Sequence, residues 1–263
     1  TFAYSDGEEV EQRIYQLLSA ATDVSSTSAE LKASISDWAT EYHFSAVRQN
    51  LLRHLPLKRE HEILEIGPGC GAITRFLGET GARVVAVEGS LARARCARLR
   101  CRELANVAIY CSNLRDFRID SQFNVVTLIG VLEYAPLYIG GDNPMLGCLE
   151  LALRYLKPDG VLVVAIENQL GLKYFCGYPE DHLSQPYVGV QDLYHSRTAR
   201  TVGKAELNLL LKRAGFRNVE FQYPFPDYKL PSMVFMERAF ETVHFRPEEI
   251  IRQMRSRDYT GAS

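Results

Sequence analysis

The stretch that most constrains the fold is residues 61–71, His61-Glu62-Ile63-Leu64-Glu65-Ile66-Gly67-Pro68-Gly69-Cys70-Gly71. A short apolar run breaks into three glycines at alternate positions and then into a helical period beginning at Ala72. That is the pattern of a buried strand turning sharply into a helix. Glycine is needed there because the backbone adopts turns closed to side chains and must approach a ligand closely at the strand's carboxyl end. The turn is of a nucleotide-binding kind, and the sequence must then say which nucleotide.

A chain of 263 residues with 46% hydrophobic content can bury a substantial core, and one α/β domain is expected. A net charge of −2 provides no field to attract a polyanion, so no nucleic-acid partner is expected. The six cysteines, at 70, 96, 101, 111, 148 and 176, contain no C-x-x-C pair. In a chain this long they read as reduced thiols, which implies a cytoplasmic setting. No run reaches the roughly 18 apolar residues of a membrane span, and no signal-peptide pattern opens the chain, so no membrane insertion is expected. Thr1 stands first, and the charged residues 248–257 look helical. Both features suit a processed chain or a segment of a longer polypeptide, with a tail over 241–263 leading to a further domain.

Residues 8–18 and 28–38 carry apolar positions three and four apart, with Ser26 or Ser28 as a cap, and predict surface helices. A third helical segment ends at Pro56 and brings Tyr42, His43, Ser45 and Arg48 close together. The plain reading makes these a solvated helix start capped by Ser45; the alternative turns His43 or Arg48 to the ligand. Residues 1–55 thus form a helical cap before a core over 56–240. Strands are predicted at 83–87, 106–110, 123–129 and 161–166, with helices at 91–102 and 145–156. The five arginines of the first of these helices fall in two sectors, 93 with 100 and 95 with 98 and 102, and read as a solvated flank. From 167 to 202 the periodicity fails in an aromatic and polar mixture, which predicts a substrate lid. A helix then stops at Gly215, and residues 216–223 and 232–237 supply two final strands.

Glu88 ends the second strand about 20 residues past the first glycine, where a carboxylate accepts hydrogen bonds from ribose hydroxyls, and Gly89 follows it. At the third strand's exit Asn113, or alternatively Asp116, can bond an adenine amino group while Leu114 offers its backbone N–H. Gly130 carries the fourth strand into the cleft toward Glu133. Gly67, Gly69 and Ala72 formally satisfy the dinucleotide pattern, so an NAD(P)-dependent oxidoreductase has to be weighed. Against it, the third glycine falls at 71, an acid stands at Glu65, and the chain ends in a helix and paired strands rather than a second mononucleotide half.

Taken together, Glu65-x-Gly67-x-Gly69-x-Gly71, Glu88, Val131-Leu132-Glu133-Tyr134, the Lys157-Pro158-Asp159-Gly160 turn and Ala214-Gly215-Phe216 resemble class I S-adenosylmethionine-dependent methyltransferases over about residues 40–240. More narrowly, Tyr42-His43-x-Ser45, the runs 70–75, 87–90, 166–175 and 223–231, and Glu180-Asp181-His182 are similar to methyltransferase domains accompanying bacterial glycosyltransferases in surface-polysaccharide synthesis. The resemblance implies a Rossmann-like, seven-stranded, mostly parallel sheet with one antiparallel edge strand and helices on both faces. It implies S-adenosyl-L-methionine as cofactor, held by Glu65, Gly67, Gly69 and Gly71 at the methionine moiety, Glu88 and Gly89 at the ribose, Asn113 and Leu114 at the adenine, and Gly130 in the cleft. It also implies a sugar or other small-molecule hydroxyl as acceptor, with a glycosyltransferase domain as partner.

A hydroxyl acceptor benefits from a general base. The candidates are His182, beside Glu180 and Asp181, then Glu133, His43 and His195, with a solvated loop histidine as the plainer account of His182. No His and carboxylate spacing repeats in a metal-binding form, so no metal is expected. Two rival functions stand beside this one. The first is a non-catalytic methyltransferase-like module that recruits a glycosyltransferase. The second is a nucleic-acid methyltransferase, disfavoured by charge and by the lack of an Asn-Pro-Pro-Tyr or Asp-Pro-Pro-Tyr signature after the fourth strand.

Overall fold

The computed structural model describes residues 7–241, together with 246 and 249. Apart from those two positions, the tail expected beyond residue 241 lies outside the described residues. Five parallel strands form the central sheet: β1 (Glu62–Ile66), β2 (Arg83–Glu88), β3 (Val107–Cys111), β4 (Phe123–Ile129) and β5 (Leu156–Ala165). Their order is β3-β2-β1-β4-β5, so the chain reverses its direction of travel across the sheet between β1 and β4. A crevice opens at the carboxyl ends of the strands on either side of such a reversal.

The middle strands are apolar almost throughout because helices cover both faces of the sheet. Among the described residues the sheet is preceded by helices α1 (Glu8–Ala20), α2 (Ala29–Ala33), α3 (Trp38–Phe44) and α4 (Asn50–Arg53). Within it or after it come α5 (Ala72–Glu79), α6 (Leu91–Arg100), α7 (Ala135–Tyr138), α8 (Pro144–Arg154), α9 (Leu172–Phe175) and α10 (Lys204–Ala214). Met145 and Leu149 of α8 and Leu210 of α10 pack with Leu64 and Leu128 in one buried cluster. Ile73 and Leu77 of α5 and Leu52 of α4 pack with Ile63 and Val84 in another.

Three expectations need correction. Among the described residues the sheet has five strands rather than seven: β6 (Gln222–Phe225) and β7 (Met233–Met236) pair with each other, antiparallel, as a separate hairpin. Pro224 has no N–H to give a second neighbour, so β6 cannot extend a ladder. The hairpin is anchored instead beside α4, where Asn50 Nδ2 donates to the Pro231 carbonyl at 3.0 Å.

The helix expected over 28–38 stops early, at Ala33, and the next helix opens the third expected segment at Trp38. Ser28 caps the first through the Leu31 N–H at 3.1 Å. The second starts afresh because Asp37 accepts from Thr40 N–H at 2.9 Å while Thr40 Oγ1 accepts from Asp37 N–H at 3.1 Å, a reciprocal cap.

The third correction concerns the arginines of α6, which are not all a solvated flank. Arg93 is buried and paired with Glu11 of α1 at 2.9 Å. Arg100 Nη2 donates to the Ser25 carbonyl at 3.1 Å, and just past the helix Arg102 Nη1 donates to the Leu18 carbonyl at 2.7 Å. Arginine stems bury well while their heads seek oxygen, which α1 and the turn after it supply at Glu11, Leu18 and Ser25. Only Arg95 and Arg98 are exposed. Ile14 and Leu18 of α1 close over Cys96 and Cys70, which fastens the N-terminal helices to the glycine turn itself.

Candidate active site at the carboxyl ends of the central strands

The first wall of the crevice is the glycine turn. Gly67, Gly69 and Gly71 have φ of +72°, +56° and +87°, a region L side chains rarely enter. Their surroundings differ. A Cβ on Gly67 would meet Val131 Cγ2 at 2.5 Å, across the crevice, and one on Gly71 would meet the Ala97 backbone of α6 at 2.7 Å. Nothing lies within 4 Å of a Cβ on Gly69. Gly67 therefore lines the crevice, and Gly71 serves the close packing of the turn on α6.

Glu88, at the tip of β2, is tied to this turn. Its Oε2 accepts from the Gly69 N–H and its Oε1 from the Ser90 N–H, both at 2.9 Å. Each oxygen keeps a second lone pair for a ligand. Burial raises its pKa against those backbone donors. Glu65 lies inside β1 beneath the turn, 3% exposed, and its Oε2 has no hydrogen-bond partner. Burial pushes it up to about 7, although the Thr74 hydroxyl and Arg48 work against that rise.

Ile66, Gly67, Glu88, Gly89, Asn113 and Leu114 line one cavity together with Gly130 and Tyr134, so the expected nucleoside-side residues converge. The cavity holds about 110 Å³. Small-molecule pockets run from about 300 Å³ upward, so a nucleoside must part these walls to enter.

The second wall is built from side chains. Gly130 (φ +68°) turns the chain out of β4 into a short 3-10 turn over Leu132–Tyr134, which buries Glu133 to 1% exposure with its Oε2 unpartnered. Glu167 follows β5 and is likewise buried, its Oε2 unpartnered and its Oε1 2.5 Å from Lys229 Nζ. His182 comes from the irregular segment 167–202, whose ends meet where Asn168 bridges Val202. Its Nδ1 is 2.9 Å from Glu180 Oε1, and Glu180 Oε2 accepts the N–H groups of His182 and Leu183 at 2.8 Å each. Nε2 consequently faces Glu133 Oε1 and Glu167 Oε2, each at 3.8 Å, with the Tyr134 ring edge-on to the imidazole.

The electrostatics follow from this crowding. Burial first, and then the Glu167 charge, push Glu133 up to about 8. Burial draws His182 downward, but the Glu180 hydrogen bond and the charges of Glu167 and Glu133 outweigh it, so the imidazole's pKa rises. Asp181, the other acid beside His182 in sequence, turns away to Lys173 and Lys229.

Of the expected proton acceptors, His182 and Glu133 are brought together. His43 is buried in the N-terminal helices with its ring edge-on to Tyr42. His195 is exposed and lines a different cavity of about 610 Å³ with Arg197 and Arg200. Glu167 and Lys229 were not singled out from sequence. For Glu167 a signal existed, since it leaves β5 at the sheet's carboxyl edge as Glu133 leaves β4. Lys229, in the proline-rich stretch between β6 and β7, gave none.

Comparison with known proteins completes the description. A family model described as "Methyltransferase domain" matches residues 39–221. The demethylmenaquinone methyltransferase of Tropheryma whipplei is 30% identical over 117 residues, 44% of this chain and 46% of that protein. The chain thus spans about half the length of that curated relative. Among solved structures, a Methanosarcina mazei SAM-dependent methyltransferase superposes with a TM-score of 0.52 at 19% identity, covering 69% of this chain and 92% of the other. The CcbJ methyltransferase from Streptomyces caelestis gives 0.50 at 20% identity, covering 71% and 84%.

Proposed function

The chain belongs to the methyltransferase-domain family and uses S-adenosylmethionine, and on that premise we propose that it methylates a hydroxyl of a sugar or another small molecule. The residues fit the cofactor. Glu65 keeps a buried carboxylate oxygen without a partner, suited to the ammonium of an amino-acid moiety, and the turn above it leaves the space beside Gly69 free of side chains within 4 Å. Glu88 offers its remaining lone pairs to a ribose, and Asn113 and Leu114 edge the adenine side. When bound, the cofactor supplies a methyl group on a sulfonium whose sulfur leaves as a neutral thioether.

One observation carries the hydroxyl reading: the two walls share Gly130. A Cβ there would lie 2.9 Å from the Tyr228 hydroxyl and 3.6 Å from Glu133 Oε1, so the cofactor cavity backs directly onto the Glu133–Glu167–His182 cluster. A hydroxyl must shed a proton as its oxygen takes the methyl group, and the buried Glu133–Glu167–His182 cluster is a suitable place to draw that proton off. The rest of the work is alignment and exclusion of water. Segment 167–202 supplies His182 and Glu180, and in this reading it is the lid over the acceptor. The resemblance of residues 166–175 and 223–231 makes a glycosyltransferase the neighbouring activity, with a glycan hydroxyl as acceptor.

The test is transfer of labelled methyl from S-adenosylmethionine to a panel of sugars, nucleotide sugars and phenols, with demethylmenaquinone added because of the Tropheryma relative. Label on an acceptor oxygen is expected. Label on the quinone carbon alone, or cofactor binding without turnover on any acceptor, would overturn the hydroxyl assignment.

A further inference from the structure

We propose that Glu133, Glu167 and His182 bind one divalent first-row cation of the manganese or zinc type. Each contributes one ligand atom, and the three atoms lie within 4.8 Å of one another. The 3.8 Å from Nε2 to each carboxylate is too long for a hydrogen bond. A point between three atoms so spaced lies roughly 2–2.5 Å from each, the coordination distance of such ions.

Three further observations point to an occupant. Glu133 Oε2 and Glu167 Oε2 are both buried without a hydrogen-bond partner, at 1% and 7% residue exposure. Orphaned carboxylate oxygens in such a place are costly unless a positive group meets them. Next, Glu180 engages Nδ1 and is itself held by two backbone N–H groups, which aims the Nε2 lone pair at the two carboxylates. A carboxylate that orients the far nitrogen of an imidazole is the usual support of a metal-bound histidine.

The third observation is charge. Glu133, Glu167, Glu180 and Asp181 gather around two ammonium groups, Lys173 and Lys229. With every carboxylate ionised and the imidazole neutral, the state in which such groups ligate a metal, two negative charges remain, the charge of one divalent cation. Lys229 does not serve in its place, because it engages Glu167 Oε1 and Asp181; among the described residues only His182 forms an ion pair with Glu133. One imidazole with two carboxylates favours manganese or zinc over the all-oxygen preference of magnesium and calcium.

Such an ion joins the exits of β4 and β5 to segment 167–202 and fixes the lid in register with the cleft. This consequence, unlike the site itself, rests on the acceptor reading above. The sequence hides the site because its donors are 34 and 15 residues apart, with no repeated spacing.

The experiment uses the full chain stripped with chelator, with neither methyl donor nor acceptor present, so its failure leaves the methyltransferase assignment standing. Mn²⁺ is titrated and followed by loss of the free-ion electron paramagnetic resonance signal, and Zn²⁺ and Mg²⁺ are titrated by calorimetry. One equivalent of Mn²⁺ or Zn²⁺ is expected to bind and raise the melting temperature. Glu167→Gln should abolish that binding, and Glu180→Gln, which leaves all three ligands in place but weakens the orienting bond together with the loop contacts to the His182 and Leu183 N–H groups, should weaken it about 10–100-fold. Variants are compared only where circular dichroism and S-adenosylhomocysteine binding match the wild type, and His182→Asn replaces Glu167→Gln if that protein does not fold. The site is refuted by absence of Mn²⁺ and Zn²⁺ binding to the wild type, or by unchanged binding in Glu167→Gln or His182→Asn.

Discussion

The two walls of the crevice are made of different material. The wall at β1 is chiefly backbone: three glycines at positive φ, with Glu88 pinned to the turn by the Gly69 and Ser90 N–H groups. The wall at β4 and β5 is chiefly side chain, with Glu133, Glu167 and His182 delivered by three separated segments. A backbone wall recognises a constant ligand and has no room for an added Cβ at Gly67 or Gly71. A side-chain wall tolerates an isosteric change of shape but not of chemistry. The division suits an enzyme that holds one fixed cofactor and activates one particular acceptor.

The largest expected effect separates the walls functionally. His182→Ala and Glu133→Gln should each lower turnover by about 10²–10⁴-fold, while S-adenosylhomocysteine binding, measured by calorimetry, stays close to wild type. Loss of both together would mean the walls act as one.

Next comes Gly71→Ala. The new Cβ would press on the Ala97 backbone at 2.7 Å with φ at +87°. Strain and overpacking together should cost about 4 kcal/mol in denaturant unfolding. A fully stable variant would show that the turn is not clamped on α6.

Glu65 gives the pH dependence. Its folded value, about 7, lies above the ordinary 4.5. Between those values the unfolded chain has released the proton that the folded protein keeps. The contribution of Glu65 to the stability of the cofactor-free protein is therefore full below pH 4.5, falls as pH rises through 7, and is then level. The loss is on the order of 3 kcal/mol. Melting curves across pH 4–9 check this, and Glu65→Gln should reduce the slope between pH 4.5 and 7 by that amount, leaving the part contributed by the other raised carboxyls, Glu88 and Glu133. Ligand binding should in turn release a proton near pH 7, visible as a buffer-dependent binding enthalpy.

Gly69→Ala is the mildest. Its Cβ meets nothing within 4 Å, and only the φ of +56° opposes it, so about 1 kcal/mol of stability is expected to go.

The same division decides what could be read from sequence. Glu65, Gly67, Gly69, Gly71 and Glu88 lie in 24 consecutive residues spanning one strand–turn–helix–strand unit, so local rules place them together. β1, β2 and β4 were legible for the same reason, as short apolar runs buried on both faces. Glu167 carried a local signal in its place after β5, but its pairing with His182 and Lys229 was not legible, because it depends on how the irregular segment 167–202 and the β6–β7 hairpin fold back over the strand ends. The α6 arginines failed in a related way. Their periodicity was correct, and the 93 and 100 sector is a single face, but sequence could not say that α1 covers it. The hairpin's separation from the sheet is likewise a tertiary outcome, with Pro224 the one local hint.

The most direct test of two walls facing each other across one ligand is a crystal structure with S-adenosylhomocysteine bound. Its adenosyl group should lie between Glu88 and Asn113, with its sulfur directed past Gly130 toward Glu133 and His182. A sulfur directed away from that cluster, toward the cavity lined by His195 and Arg197, would contradict the account.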